Sequence, residues 1–248
     1  MKKLLHLLYL LYQYVIAFPI MLVVSLFCAL AAIVCGTLFG TEAGWWTAKL
    51  WGWLFCRVFL LPVKVEGREN IKKEQAYIFV GNHQSMFDIL LMLGFLGHRF
   101  KWMMKKEIGR IPLIGYACKC CGFITVDRGS RTDIAHTMNQ ADKLLRSHSS
   151  LAVFAEGTRT KTGRLGNFKR GAFKLAVEQN LPIVPVSING GYEVMPKGQK
   201  YVRHYPLRLV IHAPIVPNPE GEDEMERLRQ ETREAILSGL DEQYTESR

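Results

Sequence analysis

An imidazole and a carboxylate five residues apart, His83 and Asp88, lie in the run Asn82-His83-Gln84-Ser85-Met86-Phe87-Asp88, directly after an apolar stretch at 77–80. Where a strand ends and a helix begins, this spacing can set Asp88 against one ring nitrogen of His83 and leave the other as a held, proton-accepting base. The same residues also suit simple helix capping, for which Asn, Ser and Asp are favoured. Company further along the chain favours chemistry. Arg128 follows the apolar stretch 122–126, and Glu156-Gly157-Thr158-Arg159 follows 151–155. Arg128 and Arg159 carry planar, permanent charges suited to phosphate, Gly157 lets backbone approach a ligand closely, and Thr158 adds a hydroxyl. Lys105 is a compact cation after a third apolar stretch, and Phe168-Lys169-Arg170-Gly171 is a basic, small-residue helix entry able to hold an anion or to pack closely.

These residues need elements to position them. Beyond Pro62, short β-branched runs alternate with amphipathic stretches, which predicts strands at 63–66, 77–80, 100–103, 122–126, 151–154, 183–187 and 207–212. Helices are expected between them at 86–96, 112–120, 132–147, 172–179 and 223–244. Residues 63–248 therefore read as one α/β domain, a mixed, largely parallel sheet flanked by helices. The polar blocks all fall after strand ends. In open α/β sheets the carboxyl edge binds ligands, so separate blocks can converge there.

The net charge of +10 favours an anionic partner, whether nucleic acid, an anionic membrane surface or a phosphorylated substrate. Dispersed basic residues and the lack of a recognised module argue against nucleic acid. Residues 4–41 contain no Asp, Glu, Lys or Arg, whereas about 20 helical residues suffice to cross a bilayer core. A second arm at 45–63 carries Lys49 and Arg57 among tryptophans, an interfacial pattern. Residues 1–62 thus read as a membrane-associated helical hairpin, spanning or re-entrant, with Lys2, Lys3, Lys64, Lys72 and Lys73 on the cytoplasmic side. A signal peptide cleaved near Ala29-Leu30-Ala31 is the rival reading, but the apolar run far exceeds a signal core. Cys118, Cys120 and Cys121 offer three thiols without a neighbouring histidine, so buried, reduced cysteines are expected rather than a metal site.

Together the blocks resemble the glycerolipid acyltransferase family, most closely its 1-acyl-sn-glycerol-3-phosphate acyltransferases. Asn82 to Asp88 carry Asn-His-x-Ser-x-x-Asp, Gly122 to Arg128 a Gly-x-Ile-x-x-x-Arg-like block, and Phe154 to Arg159 the Phe-Pro-Glu-Gly-Thr-Arg block. Leu181 to Val186 is similar to Val-Pro-Ile-Val-Pro-Val. Ala155 stands for the usual Pro and Thr160 for the usual Ser. The resemblance implies acyl transfer from a thioester, acyl-CoA or acyl-carrier protein, to the sn-2 hydroxyl of a membrane lysophosphatidate, giving phosphatidic acid without a cofactor. It implies His83 as base and Asp88 as its orienter, with Arg128, Arg159 and Lys105 on the acceptor phosphate. Glu156, with Gly157 and Thr158, is implied in substrate binding, orienting the acceptor or an arginine. Ser85 lacks a Gly-x-Ser-x-Gly elbow, so direct transfer is expected rather than an acyl-serine intermediate. The alternatives are another acceptor, such as glycerol-3-phosphate, or a non-catalytic protein that binds anionic lipid.

Overall fold

The computed structural model describes residues 2–126, 131–218 and 220–245. Its strands are β1 Val63–Glu66, β2 Ile78–Gly81, β3 Lys101–Lys105, β4 Ile124–Val126, β5 Leu151–Phe154, β6 Ile183–Asn189 and β7 Leu207–Ile211. They form one sheet in the order β1-β7-β6-β2-β5-β3-β4. Every residue of β2 and β6 is buried, as continuous apolar runs covered on both faces should be. β2 pairs in parallel with β5 and β6, and β3 with β5 and β4. β7 runs antiparallel to β6 and β1 parallel to β7, which reverses only that edge. The mixed, largely parallel sheet expected from the sequence is the one observed.

The helices are α1 Lys2–Tyr12, α2 Phe18–Phe39, α3 Thr41–Val58, α4 Phe87–Phe95, α5 Lys106–Gly109, α6 Ile114–Cys120, α7 Arg131–Arg146, α8 Gly171–Gln179, α9 Gly191–Val194 and α10 Glu224–Gly239. The helix expected over 223–244 stops at Gly239, and a 3₁₀ turn, Glu242–Tyr244, follows. The four-residue α5 and α9 are too short to display a period in sequence.

Two apolar layers flank the sheet. One, built on α8 and α10, includes Phe173, Leu175, Leu228 and Ile236. The other unites α4 with the hairpin: Trp45, Cys56, Phe59 and Leu61 pack with Phe87, Leu90 and Leu91. Helices α3 and α4 cross at glycines, since a Cβ on Gly94 would stand 2.6 Å from Trp53 N and one on Gly52 2.8 Å from Leu90 O.

A π-helical turn, Gln13–Ala17, joins α1 to α2, so Lys3–Phe39 is one helix long and apolar enough to cross a bilayer. One stripe of it is buried, through Gln13, Ala17, Met21, Cys28 and Ala32. The opposite side is open, with Leu22 75% and Phe27 67% exposed. The buried Gln13 side chain exchanges two 2.8 Å hydrogen bonds with the backbone of Val202. Trp51 Nε1 donates to Ser25 Oγ across the hairpin at 2.8 Å. At its far end the Cys121 thiol donates to Gly44 O, and burial pushes Cys118 up to about 11 and Cys121 up to about 12, which keeps both as packed thiols.

Candidate active site

The chain leaves β2 at Gly81, and the buried Asn82 side chain fixes its exit by bonding both backbone groups of Ile188 in β6, at 2.9 and 2.8 Å. The next residues wrap around one carboxylate. Asp88, fully buried in the first turn of α4, accepts through Oδ2 from His83 Nδ1 at 2.9 Å, Gln84 N at 2.6 Å and Ser85 N at 2.7 Å. Backbone amides thus hold Asp88 in place independently of His83. With Nδ1 facing the carboxylate as donor, Nε2 is the proton-accepting nitrogen. The His83 side chain is 13% exposed and its Nε2 bonds to none of the described residues.

Next to β2, β5 delivers the second wall. The Phe154 ring lies flat on the imidazole, with centroids 3.9 Å apart and planes 5° from parallel. Thr160 N donates to His83 O at 2.8 Å. Glu156 accepts His83 N on Oε1 and Gly166 N on Oε2, each at 2.9 Å. Burial pushes the Glu156 carboxyl above its ordinary range, and these two amide bonds pull against that rise. Both of its oxygens are engaged with backbone, so Glu156 couples the loops after β2 and β5.

The residues expected to hold an anion are distributed around this core. Gly157 adopts a left-handed φ of 77°, and a Cβ there would stand 3.3 Å from Lys169 Nζ, so the basic helix entry reaches this turn. Thr158 is exposed and Arg159 half-buried. Arg159 precedes the residue that bonds His83 O and has no carboxylate partner among the described residues. Lys105 ends β3 in an exposed position, paired with Glu107 at 3.0 Å. Arg128 lies outside the described residues. Ser85, weighed above as a nucleophile, is buried, donates its hydroxyl to Met195 O at 2.7 Å and accepts Phe87 N at 3.2 Å.

Two further contributors were not singled out in the sequence. Phe154 is the last residue of β5, where period-2 alternation puts it on the same sheet face as Ala152, and its pairing with Gly81 sets it beside the β2 exit. Gly191 opens α9, and a Cβ there would stand 2.3 Å from Asp88 Oδ1. Its only signal in the sequence is the Gly190-Gly191 pair after the β6 run.

A carboxylate-held imidazole at the carboxyl edge of adjacent parallel strands is an arrangement able to accept a proton from a bound hydroxyl. The acyltransferase family pattern matches residues 62–189, which include all of these site residues except Gly191. The crystal structure of the 1-acyl-sn-glycerophosphate (LPA) acyltransferase PlsC from Thermotoga maritima is similar with a TM-score of 0.79 and 30% identity, covering 96% of each chain. A chloroplastic 1-acyl-sn-glycerol-3-phosphate acyltransferase of Arabidopsis thaliana is 36% identical over 170 residues, 68% of this chain and 47% of the relative. The alpha form of 1-acyl-sn-glycerol-3-phosphate acyltransferase from Homo sapiens is 31% identical over 189 residues, 76% and 67% respectively. The chain spans about half the length of the plant relatives it matches. It belongs to the acyltransferase family.

Proposed function

We propose that the protein transfers an acyl group from an acyl thioester to the sn-2 hydroxyl of 1-acyl-sn-glycerol-3-phosphate, giving phosphatidic acid. The observation that carries this reading is the His83–Asp88 pair, with Nδ1 committed to a buried carboxylate and Nε2 left as base. His83 Nε2 takes the proton of the acceptor hydroxyl as its oxygen attacks the thioester carbonyl. Asp88 stabilises the imidazolium that forms, and the same proton passes to the departing thiolate. The products are an ester and a free thiol. Direct transfer fits Ser85, whose hydroxyl is buried and donates to a carbonyl. Arg159, Lys105 and Arg128 supply cations for the phosphate, while Gly157 and Thr158 offer backbone and hydroxyl close to it. Glu156 acts by positioning the His83 backbone. The thioester is acyl-CoA or acyl-carrier protein, and no cofactor enters the reaction.

The helix Lys3–Phe39 presents one long apolar face, which supports seating at a membrane; the sheet domain is assigned to the cytoplasmic side from the flanking Lys2, Lys3, Lys64, Lys72 and Lys73. The acceptor is itself a bilayer amphiphile, so such seating brings its headgroup to the site while its acyl tail stays in lipid. The test uses purified full-length protein with both thioester types and a panel of lysolipid and glycerol-3-phosphate acceptors. We expect lysophosphatidate to be acylated and His83→Ala to lose about 10²- to 10⁴-fold in rate with its fold retained. Preference for an acceptor without phosphate, or near-normal turnover by His83→Ala, would overturn the assignment.

A further inference from the structure

The segment 195–206 contains Lys197, Lys200, Arg203 and His204, and no acidic residue. All four are exposed, and none forms an ion pair among the described residues. Glu193, at the entrance to the segment, faces Gln243 Nε2 at 3.3 Å. The segment is held firmly despite its charge. Met195 O accepts Ser85 Oγ, Arg203 N donates to Val194 O at 2.9 Å, and Val202 is bonded twice to the buried Gln13. His6 and Tyr9 of α1 pack edge-on against Tyr201 and His204.

These contacts lay the segment across one side of α1. The opposite side carries Leu4, Leu8, Leu11 and Val15, which are 61%, 52%, 60% and 62% exposed and recur at helical spacing. A helix is about 10 Å across, and the headgroup layer of one leaflet is about 5–8 Å thick. With the leucine stripe at the acyl boundary, the segment therefore stands just above the headgroup layer, and its long basic side chains reach down into it. From this geometry we infer that Lys197, Lys200 and Arg203 form a docking surface for a bilayer bearing anionic phospholipids. This surface adds a charge-selective contact to the apolar one made by the helix.

The inference rests on the membrane seating proposed above, and the experiment separates the two. Full-length protein is diluted from detergent onto vesicles of phosphatidylcholine alone or of phosphatidylcholine with phosphatidylglycerol, and its partition is measured by flotation. Failure of the wild type to bind neutral vesicles would count against the seating itself. Each cation near an anionic surface contributes about fivefold in partition, so three give about 100-fold at low salt. The triple variant Lys197→Gln/Lys200→Gln/Arg203→Gln should bind neutral vesicles like wild type, lose that anionic preference, and keep wild-type turnover in neutral mixed micelles. The charge-matched variant Lys143→Gln/Arg146→Gln/Lys174→Gln, on helices of the other sheet face, should keep the preference. Equal loss in both variants would reduce the effect to net charge and overturn the inference. A triple variant that keeps its anionic preference but loses saturation with acyl-carrier protein would assign the surface to an acidic protein instead, which also overturns it.

Discussion

Gly191→Ala is a sharp test of how the site is held, because it changes no residue of the Asn82 to Asp88 block. The added Cβ would stand 2.3 Å from Asp88 Oδ1, 3.3 Å from Ser85 Cβ and 3.5 Å from Asp88 Cγ. Gly191 φ is not in the left-handed region, so the backbone accepts alanine and the effect is one of space. Neither side can yield freely. Asp88 is fixed by Gln84 N and Ser85 N, and α9 is fixed because Met195, bonded back to Gly191 O at 3.0 Å, also accepts Ser85 Oγ. Relief requires the carboxylate to move by about 1 Å, and displacement of that size at a catalytic constellation costs about 10²-fold. Overpacking should also cost about 1–3 kcal/mol of stability. Steady-state kinetics should show kcat reduced about 10²-fold with acceptor KM little changed, since the phosphate-binding residues are untouched. Gly81→Ala is the internal control: it too borders the site, but its Cβ would meet nothing closer than Val186 O at 3.5 Å. Its kcat should remain near wild type. Wild-type kcat in a folded Gly191→Ala, or equal losses in the two variants, would refute the claim that Asp88 is wedged against α9.

Asp88→Asn can keep a carbonyl oxygen where Oδ2 holds its three donors but carries no charge to stabilise an imidazolium; stopped assays should show kcat down about 10²- to 10⁴-fold with melting little affected. Phe154→Leu removes the ring stacked on His83, an interaction of about 0.5–1.5 kcal/mol, and should lower kcat severalfold; an unchanged rate would show that the stack does not orient the imidazole. For Glu156, burial makes the folded state hold the carboxyl proton more tightly than the unfolded chain does. Its contribution to stability therefore falls as pH rises from the ordinary carboxylate range through the raised folded value. Urea unfolding should show the wild-type stability relative to Glu156→Gln declining across that window; a difference that grows with pH would reverse the assigned cause.

Much of this architecture is local and was therefore legible in the sequence. β1 and β5 occupy the expected residues because each is a short apolar run bounded by turns. The His83–Asp88 contact closes over five residues at a strand-to-helix turn, so spacing alone proposed it. Glu156 was legible as a site residue but not as a backbone acceptor, because its partners His83 N and Gly166 N become neighbours only when β2 and β5 pair. Gly191 was hidden for the same reason, since its proximity to Asp88 depends on β6 lying beside β2. Gln13 reads as one polar residue in an uncharged run, and its partner Val202 lies 189 positions away. The end of α10 was missed because the polar pattern continues past Gly239, where the chain stops being helical: a Cβ there would stand 2.5 Å from Ser187 Oγ.

The long-range contacts also bear on how a site can serve a substrate anchored in lipid. The hydroxyl of a membrane amphiphile sits near a fixed depth, so the base that meets it needs a fixed height above the acyl boundary. Under the proposed function that height is set here through rigid parts. The apolar helix is bonded at Gln13 to Val202, the segment from Val202 returns to Met195, and Met195 O holds Ser85, two residues from His83. On the other side α3 abuts α4 at Gly52 and Gly94, and α4 carries Asp88 in its first turn. Both members of the pair are thus referenced to the same hairpin by separate routes, one through side-chain-to-backbone hydrogen bonds and one through helix packing. Under the proposed function this explains why the hairpin shares a core with the sheet: a flexible tether would hold the protein at the membrane but leave the depth of Nε2 unspecified. It also explains why the charges that face the headgroups lie on the segment strung between Gln13 and Ser85, where seating on the bilayer and placement of the base are fixed by the same bonds.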